Sequence, residues 1–472
     1  MKILLLNPPS SDDKHYIREG RCTQEQGIWA TLWPPVSLAE IAAVLLQDGL
    51  KDVRILDCPS ENIDMRGLKK PLLDFSPDVV LWSTGTPSIV SDLEFASLVK
   101  SWAPRAWTGV FGTHVTALDR QCLAQTPGLD GIIRNEPEYT VRDLIRALEK
   151  KHGLEDVLGL SYRTGETIQR NPDRPFIPDL DDLPFPAWEL VNVDSYRLPL
   201  KGNRFLMIAP LRGCPFSCSF CTAPTYYGHK LRRRSPDKVI EEIKRNMKDF
   251  GVDHFFFWAD TFVLDKAYVR ELCEKILSNG LKIAWTSNSR ADTVDAELLL
   301  LMAKAGCWML SFGIESSSQE ILDRNEKRLR VEQVAQAVGW TKAAGIQVAG
   351  HFILGLPGET RETMAATARF AKELDVDFAQ FYCAVPYPGA PLYEEARREG
   401  WIKSDDFSQF KQEKSVLAAG VLSPQEIMAA RDRAHREFYF RPRAVIAALK
   451  NAKLTDISWI ATCLRRFVSD HL

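Results

Sequence analysis

The chain has 472 residues, room for two or three domains of ordinary size. With 45% hydrophobic and 26% charged residues and a formal net charge of -2, it reads as a folded globular protein. That balance gives no electrostatic case for nucleic acid binding or for a polybasic membrane anchor.

The opening MKILLLNPPS predicts a buried first strand. Its apolar run is four residues long and ends in Asn-Pro-Pro, too short for a secretory signal. Nothing approaches the ~18 apolar residues of a membrane span. No integral membrane segment is therefore expected, and the cytoplasm is the expected compartment. Residues 36–50 (VSLAEIAAVLLQDGL) have helical apolar spacing, stopped at Gly49. A strand over 52–58 follows, then a strand over 77–87 that runs into the loop STGTP. A helix begins at Ser91, a strand over 108–117 ends in a Gly-Thr-His loop, and strand, turn and helix fill 130–150. This alternation over 1–145 predicts an α/β domain, doubly wound and flavodoxin-type, with helices on both faces of a parallel sheet. Ligands in such folds sit at the carboxyl ends of the strands, where NPP, STGTP and FGTH fall. Residues 146–200, rich in Asp and Pro, read as an irregular connector. Over 201–404, six strand candidates alternate with helices (204–214, 253–260, 282–290, 308–316, 346–355 and 377–386). They predict a partial (β/α)6 barrel with a lateral mouth. Residues 405–472 read as mostly helical, with ISWIATCLRRFV (457–468) as a packed terminal helix or a peripheral membrane contact.

Seven of the ten cysteines are scattered singly: Cys22, Cys58, Cys122, Cys273, Cys307, Cys383 and Cys463. Such cysteines in a cytosolic protein are ordinarily buried and inert. Cys214, Cys218 and Cys221 instead cluster as C-x3-C-x2-C in RGCPFSCSFCTAP, just after the first strand of the second domain. Thiolates hold iron–sulfur clusters, and a four-iron cluster ordinarily takes four of them. Three leave one iron open to a ligand that chelates through an amine and a carboxylate. A structural zinc site using His229 is the competing reading. A disulfide is disfavoured by the compartment and by the odd count.

With Phe220 before the last cysteine, this motif resembles the signature of radical SAM enzymes. There a reduced 4Fe–4S cluster cleaves S-adenosylmethionine (SAM) to methionine and a 5′-deoxyadenosyl radical. Asp260, Phe262 and Asp265 match the D-x-x-F-x-x-D stretch of one large subgroup. Arg290 and Asp292 end the third barrel strand, and Glu315 and Ser316 the fourth. GHFILGLPGET, with Gly355, resembles the region that packs against adenine, and PYPGAPLYEEA is typical of the subgroup. The resemblance implies Cys214, Cys218 and Cys221 as catalytic cluster ligands. It implies Phe220, Asp260, Arg290, Glu315, Ser316 and Gly355 as SAM contacts. Taken singly, each of the polar residues also fits a salt bridge or a helix cap at a strand end.

A doubly wound domain ahead of such a barrel resembles the cobalamin-binding radical SAM subfamily. Its three loops imply cobalamin contacts from Asn7 and Pro8, from Ser83, Thr84, Gly85 and Thr86, and from Gly112, Thr113 and His114. The chain has no D-x-H-x-x-G loop, so a His–cobalt bond from the first loop is not expected. His114 is implied as a corrin side-chain contact, a satisfied structural histidine being the other reading. FYFRPRAVIAAL (438–449) also occurs in the C-terminal region of this subfamily.

The resemblance implies three cofactors, a 4Fe–4S cluster, SAM and cobalamin, with an external electron donor of the flavodoxin or ferredoxin type. The implied reaction is methylation of an unactivated carbon in a small natural-product or cofactor-type substrate. Radical oxidation or cyclisation of a tetrapyrrole-like substrate, as in the oxygen-independent magnesium-protoporphyrin monomethyl ester cyclase, shares every motif. A non-catalytic cobalamin-binding sensor with a structural metal site is the reading from a different class. Trp258, Trp285, Phe381 and Tyr382 near strand ends point to a flat or apolar substrate, or else to core.

Overall fold

The apolar N-terminal run forms β1 (Lys2–Asn7), which pairs in parallel with β2 (Asp52–Asp57) on one side and β3 (Val79–Ser83) on the other. In the computed structural model, which describes residues 1–10, 16–19, 24–25, 32–198 and 202–441, β4 (Trp107–Phe111) and β5 (Gly131–Ile133) extend the parallel sheet. The order 2-1-3-4-5 is the flavodoxin order, and it reverses direction between β1 and β3. Both strands at that switch point are buried along nearly their whole length, as apolar strands covered by helices on both faces must be.

The segment read as an irregular connector adds two strands to this sheet. β6 (Leu160–Thr164) and β7 (Thr167–Arg170) join it as an antiparallel hairpin beside β5. Gly165 takes a left-handed φ of 58° in the two-residue turn, a conformation that glycine adopts without strain.

β8 (Phe205–Ile208), β9 (His254–Phe257), β10 (Ala284–Ser289), β11 (Cys307–Glu315), β12 (Gln347–Leu354) and β13 (Phe378–Cys383) form one parallel sheet in sequence order. Local chemistry starts the helices between them. Ser235, Asp265, Asp295 and Thr360 accept hydrogen bonds from Lys238 N, Tyr268 N, Leu298 N and Thr363 N at the helix entries. Asp265, matched above to a family stretch, is thus a helix cap. Among the described residues β8 and β13 do not pair, so the barrel is open. Helix Pro424–Tyr439 covers its β13 edge: Tyr439 Oη accepts from Ala379 N at 3.2 Å and donates to Ala379 O at 2.8 Å. The rest of the tail, including 457–468 and most of 438–449, lies outside the described residues. No helix among them is long and apolar enough to cross a membrane.

Register decides which side chains look into the barrel. Phe256 pairs with Thr286, Thr286 with Met309, Gly313 with His351 and His351 with Gln380, so these share one face. Trp258 and Tyr382 fall on that face by alternation. Trp285 and Phe381 do not. Trp285 is fully buried and its indole donates to Ala305 O at 2.8 Å, while Phe381 packs edge-on against His435 and Phe438. Of the four aromatics offered above as substrate-facing, these two belong to the core. One hydrophobic cluster runs through both sheets. Trp33 reaches from the first domain to lie edge-on against Phe256 and Trp258, each at 5.2 Å.

Candidate active site

The cysteine loop opens at Gly213, whose φ of 92° and close approach to Lys230 O (2.3 Å from an added Cβ) leave no room for a side chain. Gly213 N donates to Asp260 Oδ2 at 3.2 Å, and Cys214 N to Gly228 O at 3.1 Å. Cys221 N donates to Cys218 O at 3.1 Å, folding the last two thiols onto one turn. The loop is then tied from both sides. Ser219 N donates to Asn325 O, Ser219 Oγ to Asn325 Oδ1, and Leu392 N to Ser219 O. Cys214 and Cys218 are buried and Cys221 is partly exposed.

The sulfurs have the partners that thiolate ligands need. Arg290 Nη1 lies 3.9 Å from Cys218 Sγ, Ala223 N 3.5 Å from Cys221 Sγ, and Thr261 Oγ1 3.9 Å from Cys214 Sγ. Burial pushes the Cys218 thiol up, and the cations of Lys327 and Arg290 pull against it. Three thiols backed by cations and N–H donors fit a cluster that leaves one iron open. Among the described residues no three His, Cys, Asp or Glu side chains gather as they would around a single ion, and His229 is exposed. The zinc reading therefore has no assembled site, whereas the ligands of a cubane attach at separate corners.

Arg290, at the end of β10, is almost wholly buried. It clasps Asp292 through two bonds of 2.9 and 2.8 Å, donates to Lys327 O at 2.8 Å, and lies with its guanidinium 3.7 Å from the Phe216 ring centroid. Glu315 ends β11 at a register shift and holds φ +67°, a strained value for a non-glycine residue. Lys327 Nζ donates to its Oε1 at 2.6 Å and also lies 5.9 Å from the Phe220 ring. Nothing in the motifs singled out Lys327.

Two of the residues expected to contact SAM also have a part in the scaffold. Ser316 is fully buried, with Oγ 3.3 Å from Thr367 Oγ1 and accepting from Ser318 N, so it is internal scaffolding. Gly355 N is spent on Glu359 Oε2 at 2.6 Å, and a Cβ at Gly355 would meet Ile427 of the C-terminal helix at 2.6 Å. Helix packing explains this glycine. Asp260 acts on the loop through Gly213.

The strand ends of the first domain show a similar division. Arg18 binds Asp92 in a bidentate pair at 3.0 and 2.7 Å, with neither side chain exposed by more than 1%. Arg18 also donates to Asn7 Oδ1 and Pro8 O, while Asp92 accepts from Thr84 and Ser88 hydroxyls at 2.7 Å. The β1 and β3 loops are thus stitched to each other. Gly85 O accepts from Ser88 within its turn. Gly112 (φ +142°) is needed because a Cβ there would lie 2.1 Å from Thr84 O, and Thr113, buried, starts the helix behind it. His114 is 1% exposed, 3.2 Å from Thr86 Oγ1 and edge-on to Phe407, and burial depresses it to about 3. Pro8, Thr84, Gly85, Thr86, Gly112, Thr113 and His114 thus shape the strand-end surface where the resemblance places the cofactor. Asn7 and Ser83 do line a cavity, with Arg18, Glu19, Trp33 and Asp57, none of its lining residues a histidine. Burial raises Glu19 to about 8 and raises Asp57 as well. This carboxyl- and amide-lined crevice at the switch point fits the carboxamide rim of a corrin.

A flavodoxin-ordered sheet whose carboxyl edge abuts an open six-stranded barrel, with three thiols in the loop after the first barrel strand, defines an enzyme built around an iron–sulfur cluster and a second cofactor. Residues 208–371 match the Radical SAM superfamily, and residues 29–145 match the B12 binding domain. The chain is 32% identical over 446 residues to an uncharacterized methyltransferase of Pyrococcus horikoshii, covering 94% of both proteins. It is 30% identical to the anaerobic magnesium-protoporphyrin IX monomethyl ester cyclase of Cereibacter sphaeroides, over 87% of this chain and 67% of that one. Its fold is similar to that of the radical S-adenosylmethionine methyltransferase TsrM from Kitasatospora setae, with cobalamin and a [4Fe-4S] cluster bound. That likeness has a TM-score of 0.69 at 16% identity, covering 97% of this chain and 90% of that one. The chain belongs to the radical SAM enzymes that carry a cobalamin-binding domain, and its cofactors are a 4Fe–4S cluster, SAM and cobalamin. The non-catalytic sensor reading is set aside with that assignment.

Proposed function

We propose that this enzyme places a methyl group on an unactivated carbon of a small natural-product or cofactor-type molecule. The observation that carries this reading is the meeting of both modules at one space: Trp33 lies over the interior-facing Phe256 and Trp258, beside the switch-point cavity lined by Asn7, Glu19, Asp57 and Ser83. With an electron supplied from outside, a bound cluster would cleave SAM to methionine and a hydrogen-abstracting 5′-deoxyadenosyl radical, and bound cobalamin would carry the methyl group.

The chain's own residues do the rest. Cys214, Cys218 and Cys221 would hold three irons, and Phe220 packs against the apolar cluster that includes Ile321 and Leu392. Asp260 fixes Gly213 and so the first cysteine. Arg290 and the Lys327–Glu315 pair present charges of both signs to the amine and carboxylate of SAM. Trp33, Phe256 and Trp258 give an apolar wall that excludes water and suits a flat or apolar substrate. The electron donor is a flavodoxin or ferredoxin, and the working compartment is the reducing cytoplasm, where the thiols stay unoxidised. The identity to the cyclase favours a second reading, radical oxidation or ring closure of a tetrapyrrole-like substrate.

The test is anaerobic turnover of reconstituted protein with SAM, reductant, cobalamin and cell extract. Methyl transfer yields S-adenosylhomocysteine alongside 5′-deoxyadenosine, with a product heavier by one CH₂. Formation of 5′-deoxyadenosine alone, with an oxygenated or cyclised product, would replace this reading by the second.

A further inference from the structure

The barrel does not hold the cysteine loop by itself. The loop's two stems, Leu211–Arg212 and Arg232–Arg233, form an antiparallel ribbon, and each sends an arginine into the first domain. Arg212 Nη2 donates to Glu40 Oε2 and Glu138 Oε1, each at 2.7 Å, while Nη1 donates to Glu136 Oε1 at 3.0 Å. Arg232 Nη1 donates to both oxygens of Glu136, at 2.7 and 2.8 Å. Glu40 lies on helix Val36–Gln47, Glu136 in the turn after β5, and Glu138 opens helix Glu138–Lys150. None of the five side chains is more than 5% exposed.

Stability does not account for this lattice. Desolvating five charges is costly, and well-packed apolar residues would serve the interface equally well or better. What buried charges add is register, because a guanidinium fork accepts carboxylates in a narrow set of directions. Arg212 stands two residues before Cys214, so whatever fixes Arg212 fixes the first cluster ligand.

We propose that Arg212, held by Glu40, Glu136 and Glu138, is a positioning residue that sets the separation between the cluster and the corrin. The inference rests on the cobalamin reading above. It assigns to the acidic face of the first domain a role in cluster placement as well as in packing.

The test uses the full chain loaded with cluster and hydroxocobalamin, then reduced so that both centres are paramagnetic. The cluster speeds the spin relaxation of cob(II)alamin in a distance-dependent way. Arg212→Lys keeps the charge and loses the fork, and Glu138→Gln changes one acceptor. Both variants are expected to retain wild-type iron and cobalamin content. Relaxation enhancement should fall and spread over a range of distances. Methylation of cobalamin by SAM should drop about tenfold to a hundredfold, as misplacement of about 1 Å can do, while 5′-deoxyadenosine formation changes less than about twofold. If Arg212→Lys does not fold, Glu138→Gln and Glu40→Gln carry the test. Wild-type relaxation in the folded variants overturns the positioning role. Wild-type protein that takes up the cluster but no cobalamin overturns the cofactor reading itself, and the inference with it.

Discussion

Lys327 Nζ lies 2.6 Å from Glu315 Oε1, and the same lysine's carbonyl accepts Arg290 at 2.8 Å, so one residue ties the end of β11 to the end of β10 beside the cysteine loop. The two paired side chains are 7% and 8% exposed. Removing one partner strands the other. Glu315→Ala should destabilise the protein by about 3–5 kcal/mol, read as a lower urea midpoint. Glu315→Ala combined with Lys327→Met should recover much of that loss. In cluster-loaded protein both the single and the double variant should bind SAM at least about tenfold more weakly, a loss of roughly 1.4 kcal/mol. Full SAM affinity in the double variant would make the pair structural only.

The cluster assignment predicts a sharp contrast among cysteines. Ala at Cys214, Cys218 or Cys221 should remove most of the iron, the broad absorption near about 400 nm, and 5′-deoxyadenosine formation. Cys273→Ser is the control. That thiol is buried against helix partners, and burial drives it up to about 12, so it does not ionise at neutral pH. Iron content measured by colorimetric assay separates the two sets.

Stability should fall toward alkaline pH because of Glu359. Its Oε2 takes the amides of Gly355 and Leu356, its Oε1 is buried without a partner, and burial raises it to about 8. A carboxyl that holds its proton more tightly when folded than at its usual value of 4.5 contributes least above the raised value. Its penalty therefore grows as pH climbs from about 4.5 to about 8. Glu19 acts in the same direction. Glu359→Gln should flatten the decline in denaturation midpoint between pH 6 and 9 (about three units, spanning the raised value). Equal slopes in both proteins would contradict it.

His114 should be silent in cobalt chemistry. Buried, bonded to Thr86 and held neutral, it contributes to packing against Phe407. His114→Ala should cost about 1–3 kcal/mol of stability and leave the visible spectrum of bound hydroxocobalamin unchanged. A spectral shift would mark it as a ligand.

What the sequence made legible was local. The spacing of Cys214, Cys218 and Cys221 and the apolar β1 and β3 are written within a few residues of each other. What escaped was long-range. Arg212 and Glu40 are 172 positions apart, and no motif links them. The same holds for Arg18 and Asp92, whose ion pair also bonds Asn7 and Thr84. The neighbours of Gly355 and Ser316 escaped as well, because a glycine or a strand-end hydroxyl has the same signature whether it meets a ligand or Ile427 and Thr367. Pairing of Phe255 with Trp285 and of Phe256 with Thr286 puts Trp285 off the interior face, and register is invisible before strands are paired. The β6–β7 hairpin (LSYRTGETIQR) was hidden by the Asp- and Pro-rich stretch 172–186 that follows it.

The central claim is that SAM cleavage at this cysteine loop and methyl transfer through cobalamin occur in one molecule. The most direct measurement is a reduced, reconstituted sample given SAM with a deuterated methyl group and analysed by mass spectrometry. The account predicts labelled methylcobalamin on the protein and 5′-deoxyadenosine in the same sample. Formation of 5′-deoxyadenosine on protein-bound cobalamin that never acquires the label would contradict it.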